Sequence, residues 1–370
     1  MVTENPSMNE IEALIRKFRI EGTPYDCTEI RSGHINRTYL VYTKEGEVIR
    51  KYLLQMINTS IFKKPEELME NIIRVTGHIA DKVAAAGEDP TRRTLHFLQT
   101  TDGKWMYTAP DNSTWRCYHY IDALSLQQVD STEMFERVGR AFGNFQRQLS
   151  DFDASLLHET IPNFHNTVSR YNDFLTALEK DTAHRAAGVP DEIRFVKDHE
   201  NICSFIMDGI ASGRFPLRVT HNDTKLNNIL VDEKTGEGIC VIDLDTVMPG
   251  SVLGDFGDSI RFGASSAAED ETDLDKVYVR LDLFEAYTKG FLTGLDHSLT
   301  DAEIRAFPMG ALMLTLETGI RFLTDYLNGD TYFRTAYPAH NLDRAKNQFK
   351  LVSDMEEKMD EMNRIVQKYL

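Results

Sequence analysis

The spacing of apolar positions along the chain changes twice, and each change marks a change of element. In "MNEIEALIRKF" the residues Ile11, Leu14, Ile15 and Phe18 fall three and four apart, which predicts a helix. From Thr28 to Ile57 the texture becomes β-like: "TYLVYT", the turn "KEGE" and "VIRKYLLQMI" predict a hairpin. Pro65 then opens "PEELMENIIRVTGHIADKVAAAG", a helical stretch with acids in its first turn and Gly87 past its end. "TLHFLQT", "KWMYTA" and "TWRCYHYI" predict further strands, parted by Asp102-Gly103 and Asp111-Asn112. Beyond Ile121 the pattern is mostly helical. "STEMFERVGRAFGNFQRQL" starts on a Ser/Thr pair followed by Glu133, a capping signal. "IRFVKDHENICSFIMDGI", "DLFEAYTKGFLTGL", "AEIRAFPMGALMLTLETGIRFLTDYL" and "AHNLDRAKNQFKLVSDMEEKMDEMNRIVQKYL" continue the helical pattern, the last as a closing helix. In the last, many charges surround Leu351, Met355, Met359, Met362 and Ile365 at helical spacing, which predicts a packed surface helix. The clear β interruption spans residues 217 to 243.

Length divides this pattern into two lobes: 370 residues exceed what one compact core holds. The expected division is residues 1–120, sheet-rich, and residues 121–370, helical. A net charge of −17 speaks against a nucleic-acid surface and against an anchor on anionic lipid. It leaves room for a nucleotide bound with a divalent cation, which supplies its own positive charge. No segment has the apolar length of a signal peptide or a membrane span. Cys27, Cys117, Cys203 and Cys240 lie far apart with no CxxC pair, which predicts free thiols and a reducing, cytoplasmic setting.

The densest polar stretch, "HNDTKLNNIL", runs from His221 to Leu230 directly into an apolar segment. After it, "NILVDEKTGEGICVIDLD" places two β-prone runs around a turn and predicts an antiparallel hairpin. With Asp232 paired near Ile239, Asn228 pairs near Asp243, and Asp223 lies in the loop leading to that same open end. A carboxylate stranded at the edge of a ribbon covered on both faces costs several kcal/mol unless it is paired. An Asp and an Asn with room for water and phosphate suit Mg2+, whereas no Cys/His cluster suggests zinc.

"HNDTKLNN" followed by "VIDLD" resembles the catalytic and metal loops of the protein-kinase-like phosphotransferases, H-x-D-x-x-x-x-N and a later Asp. Its I-D-x-[DE] second motif resembles the aminoglycoside-phosphotransferase and choline-kinase branch. The resemblance implies an α+β, bilobal protein-kinase-like fold: a small antiparallel-sheet lobe with one helix, then a larger helical lobe with a short hairpin at the active site. "SGHINRTYLV", "RFLTDYLNGDTYF" and "PAHNL" are similar to N-acetylhexosamine 1-kinases, which phosphorylate the anomeric hydroxyl of GlcNAc and GalNAc.

On that resemblance ATP and Mg2+ are the expected cofactors, and a small sugar and a nucleotide the expected partners, for a monomer or simple homo-oligomer. Asp223 would take the proton of the attacking hydroxyl, and Lys225 would neutralise charge on the transferred phosphoryl. Asn228 and Asp243 would hold Mg2+. Backbone groups of Ser32 and Gly33 would lie over the phosphates, and those of His119, Tyr120 and Ile121 would meet adenine. His34, Asp223, Asp245, Arg321 and Tyr332 would face the sugar, although Asp245 equally suits a backbone hydrogen bond and Arg321 a buttress. His221 and Asp255 read as scaffold. One departure stands out: Gln55 occupies the slot of the lysine that grips ATP in most kinases.

Other readings compete. A kinase of an aminoglycoside, amino alcohol or other sugar is the near neighbour, but Arg, Tyr and His in "RFLTDYLNGDTYFRTAYPAHNL" suit neutral hydroxyls better than a polycation. A nucleotide-binding interaction protein is prompted by Gln55. Asp243-Leu244-Asp245 as the DxD of a glycosyltransferase lacks an alternating β/α half before it.

Overall fold

The structure, a computed structural model, describes residues 7–30 and 35–370. The chain forms two compact units. One comprises Met1–Leu124, Leu156–Ile161 and Cys240–Asp245; the other comprises Ser125–Ser155, Pro162–Ile239 and Thr246–Leu370. An antiparallel-sheet N-terminal region and a helical C-terminal region give the chain the α+β architecture of the kinase-like fold.

In the first unit, α1 (Met8–Ile15) starts on a capping box, Ser7 and Glu10 bonding reciprocally, and buries Ile11 and Ile15. β1 (Thr23–Ile30), β2 (Arg37–Glu45) and β3 (Val48–Ile57) run antiparallel, with Gly46 at φ +61° in the β2–β3 turn. β4 (Phe97–Leu98), β5 (Tyr107–Thr108) and β6 (Thr114–His119) complete the sheet in the order β1-β2-β3-β6-β4, with β5 also on β6. The β3–β6 register sets Gln55 directly opposite Arg116. α2 (Pro65–Ala85) begins at the predicted proline and buries Leu68, Met69, Ile72, Val75 and Ile79 along one face; the one-turn α3 (Pro90–Arg93) follows it. Strand β1 was not expected. Pro24 and Asp26 lower its β propensity, and its register shifts between them.

After the two-residue strand β7 (Leu124–Ser125), the second unit opens with α4 (Thr132–Gln148), capped by Ser131 on Met134 N–H. α5 (Thr167–Lys180), α6 (Pro190–Asp198) and α7 (Phe205–Ala211) follow, α6 and α7 lying in a segment expected to be helical. β8 (Arg218–Thr220) enters the polar stretch, and β9 (Ile229–Val231) and β10 (Gly238–Val241) form the predicted hairpin. Its turn closes nearer the tip than the sequence suggested: Asp232 N–H donates to Glu237 O at 2.9 Å, because Asp232 Oδ1 also accepts from the amides of Lys234 and Thr235 and curls the chain. β11 (Met248–Gly250) pairs with β8, and α8 (Val252–Gly263) is buried along nearly its whole length. α9 (Leu281–Leu295), α10 (Asp301–Arg305) and α11 (Phe307–Leu327) come next, α11 beginning where Pro308 fits a first turn. The last segment divides at Lys358 into α12 (His340–Glu357) and α13 (Met359–Gln367), burying Leu351, Met355, Met362 and Ile365.

Helices α4 and α9 touch backbone to backbone. A Cβ added at Gly290 would lie 1.9 Å from Glu136 O, and one at Gly143 would lie 2.1 Å from Phe291 O.

Candidate functional site

Within the helical unit the polar stretch is held from below by carboxylates. Asp255, fully buried on α8, accepts from the amides of His221 (2.9 Å) and Asn222 (2.7 Å) and from Gln146 Nε2 (2.6 Å). Burial raises the Asp255 carboxyl above its ordinary range, and His221 and these donors oppose the rise. Asp258, one turn on, accepts from the Thr224 amide at 2.9 Å and pairs with Arg261 at 3.0 Å. His221 is buried, with the rings of Phe142 and Phe145 edge-on at 5.9 Å. Asn222 takes a left-handed φ of +64° and bonds Thr246 O through its side chain. The loop is thereby clamped on both sides of Asp223.

Asp223, Lys225 and Asn228 converge in that unit. Lys225 Nζ lies 2.7 Å from Asp223 Oδ1. Burial works against the charged form of Lys225, but Asp223 and then Asp258 outweigh it and raise its pKa. Asn228 Nδ2 donates to Asp223 O (2.8 Å) and Oδ2 (3.2 Å), which aims its Oδ1, the atom a hard cation would take, away from Asp223. A proton acceptor, a cation and an amide oxygen thus stand within one loop turn.

A second cluster, which the sequence reading missed, lies next to this loop. His165 Nδ1 is 2.8 Å from Glu317 Oε1, and its Nε2 is 3.0 Å from Asn222 O. Both ring nitrogens face acceptors, so both carry protons and the ring is an imidazolium. Burial would lower its pKa; the charge and hydrogen bond of Glu317, with Asn222 O, reverse this and leave it raised. Glu317 is depressed in turn, His165 outweighing its burial. On the same helix, Arg321 lies 5.5 Å from the centroids of Phe164 and Phe333 and 5.9 Å from Tyr332. The "NGD" loop that presents Tyr332 is shaped by buried Asp325, which accepts from the successive amides of Thr331, Tyr332 and Phe333. His165 and Glu317 lie some 150 positions apart, so only an unexplained acid inside the apolar run "ALMLTLETGI" hinted at this cluster.

The sheet unit carries a different set. Asp245 and Arg116 are each 3% exposed, and Arg116 Nη2 stands 2.6 Å from Asp245 Oδ1, a close charge contact without hydrogen-bond alignment. Asn36 Nδ2 donates to Asp245 Oδ2 at 2.6 Å. Both oxygens are therefore engaged, which favours an anchoring role for Asp245 over acceptor contact. Removing one partner of such a buried pair costs about 3–5 kcal/mol. Arg116 in turn donates through Nε and Nη2 to Gln55 Oε1 at 2.8 and 2.5 Å. Asp243 is exposed and holds φ +60°. In the same unit a cavity of about 370 Å³ is lined by residues that include Arg92, His96, His119, Tyr120 and Ile121. The amides of His119 and Tyr120 already donate to His96 O and Lys51 O, so two of the donors expected for adenine are spent inside the unit. Ser32, Gly33 and His34 lie outside the described residues.

Among the described residues no three His, Cys, Asp or Glu side chains gather as a metal cluster. Hard oxygens from one amide and one exposed carboxylate are a donor set that fits Mg2+ completed by water and phosphate.

Residues 26–288 match the phosphotransferase enzyme family, APH, and the chain belongs to that family. Solved structures share its fold at low identity. A spectinomycin phosphotransferase in complex with ADP and spectinomycin is 12% identical, with a TM-score of 0.58 over 96% of this chain and 99% of that one. A microcompartment-associated aminopropanol kinase is 13% identical, with a TM-score of 0.58 over 96% and 99%. Choline kinase from Cryptosporidium parvum Iowa II is 12% identical, with a TM-score of 0.58 over 98% and 97%. Among the described residues no helix is long and apolar enough to cross a membrane.

Proposed function

We propose that this phosphotransferase uses Mg2+ and ATP to phosphorylate a neutral sugar, an N-acetylhexosamine of the GlcNAc/GalNAc type, at its anomeric hydroxyl. Asp223 accepts the hydroxyl proton as the sugar oxygen bonds to the γ-phosphorus and the bond to ADP breaks. Lys225 moves from its pairing with Asp223 to the transferred phosphoryl, where its charge offsets the oxygens. Asn228 and Asp243 hold the Mg2+, which supplies positive charge at the phosphates. Residues 1–120 serve the nucleotide and 121–370 the chemistry and the acceptor.

The observation that carries the choice of acceptor is Arg321. Choline and aminopropanol, named for two of the similar structures, are cations, and an aromatic cluster is what would receive an ammonium group. Here the rings of Phe164, Tyr332 and Phe333 already surround the chain's own guanidinium. His165, beside the same helix, is matched by the Glu317 carboxylate, so that pair is neutral in sum and the positive charge offered by this face is that of Arg321. A cationic acceptor is repelled there, whereas the hydroxyls of a neutral sugar find donors. The test incubates the protein with MgATP and GlcNAc, GalNAc, galactose, choline, aminopropanol, spectinomycin or kanamycin, following ADP release and the phosphorus spectrum. An anomeric phosphate from the first two is expected; turnover confined to the cationic acceptors rejects the sugar assignment.

A further inference from the structure

We propose that Arg116 is a positioning residue for the metal-binding segment: through Asp245 it fixes the backbone that carries Asp243. This role, which rests on the phosphotransferase reading above, begins from the cation missing at Gln55. The charge is present on the neighbouring strand. Arg116 faces Gln55 across the β3–β6 ladder, and Gln55 Nε2 donates onward to Thr38 Oγ1 on β2 at 2.9 Å. The guanidinium cannot swing. Gln55 Oε1 takes two of its nitrogens, Met69 Sδ lies 3.9 Å from the third, and the Phe97 ring centroid is 5.8 Å away. A lysine at position 55 would set a second cation in this dry site beside Arg116. Glutamine instead orients the arginine and adds no charge.

What the arginine grips is the segment after β10. Asp245 is held on one oxygen by Arg116 and on the other by Asn36, and Leu244 is buried beside it. Asp243, two residues earlier, is exposed with φ in the left-handed region. A non-glycine residue keeps that conformation only where its surroundings over-determine it. Planar peptides leave few soft torsions between a fixed Asp245 and the Asp243 carboxylate, so locking one aims the other. Without Arg116 the buried Asp245 charge is uncompensated and turns toward water, taking the Asp243 backbone with it.

The test compares wild type, Arg116→Met, Arg116→Lys and Asn36→Ala. Three quantities are read: the Mg2+ concentration for half-maximal turnover, Mn2+ binding by electron paramagnetic resonance with a non-hydrolysable ATP analogue, and the melting temperature. Partners that orient a metal ligand are worth roughly 10–100-fold in metal affinity. Arg116→Met is expected to weaken Mn2+ binding and raise the Mg2+ requirement within that range, with Arg116→Lys between it and wild type. Asn36→Ala, which removes the second hold on Asp245 and the acceptor of the Asn58 amide from a half-buried position, shifts both a few-fold the same way and decides the matter should Arg116→Met not fold. Unchanged Mn2+ and Mg2+ dependence in the folded variants, with only a lower melting temperature, makes Arg116 a structural strut and overturns the proposal. A wild type that binds Mn2+ with the analogue yet turns over no acceptor defeats the phosphotransferase reading alone, and the Mn2+ arm still judges Arg116. A wild type that binds neither overturns both.

Discussion

Two buried carboxylates anchor the two segments to which the proposed chemistry is assigned, and they do it by different means. Asp255 holds its loop through main-chain donors, the consecutive amides of His221 and Asn222. Among the described residues Asp245 is held by side chains, Arg116 on β6 and Asn36 just before β2, both far away in sequence. An amide is offered by every residue except proline, so the first arrangement constrains the path of the backbone and little else. The second requires one guanidinium of fixed orientation. An anchor made of amides tolerates change around it; an anchor made of one ion pair fails when either member is lost.

The largest expected effect lies at the residue the first anchor serves. Asp223→Asn should lower turnover by roughly 10²–10⁴ while nucleotide affinity and melting temperature stay near wild type. Comparable turnover would mean that the loop is clamped for some other purpose. Next, Asp255→Ala should cost about 3 kcal/mol or more, since two buried amides and Gln146 lose their acceptor. Hydrogen exchange should show the amides of His221 and Asn222 losing protection; if both stay protected, the loop is held by something other than Asp255. The smallest effect is in pH. His165 has a folded pKa above its ordinary 6.5, so its stabilisation is complete below that value and fades as pH rises through the folded pKa. Glu317, depressed from 4.5, loses its own contribution as pH falls through the folded value. Melting temperature should thus decline on both sides of a central window, and His165→Gln should flatten the alkaline side. An alkaline limb unchanged in that variant would remove His165 from the account.

Much of the fold could be read from local signals. The starts of α2 and α4 were legible because a proline or a hydroxyl cap announces a helix within one turn. The hairpin after Asn228 was legible because Gly236, at φ +68°, and Asp232 punctuate two apolar runs. Breaks inside long helical stretches were not: α10 and α11 part at Ala306, and α12 and α13 at Lys358, where no glycine marks the division. α5 also escaped notice, its apolar face being thin. In the site, Asp223, Lys225 and Asn228 stood out by spacing, since one loop turn joins them. Arg116, Gln146, His165 and Glu317 act across 61 to 152 positions, and contacts of that reach leave no periodicity. The available signals were single charges at inward positions, Arg116 in "TWRCYHYI" and Glu317 in "ALMLTLETGI".

The glycine seam between α4 and α9 has a consequence for anyone seeking to harden this protein. Replacing helical glycine by alanine usually gains about 1 kcal/mol from backbone entropy. At Gly290 or Gly143 the added methyl would meet a carbonyl oxygen at roughly half a van der Waals separation. The familiar stabilising exchange would here prise two helices apart, so consensus-style engineering should leave those positions untouched.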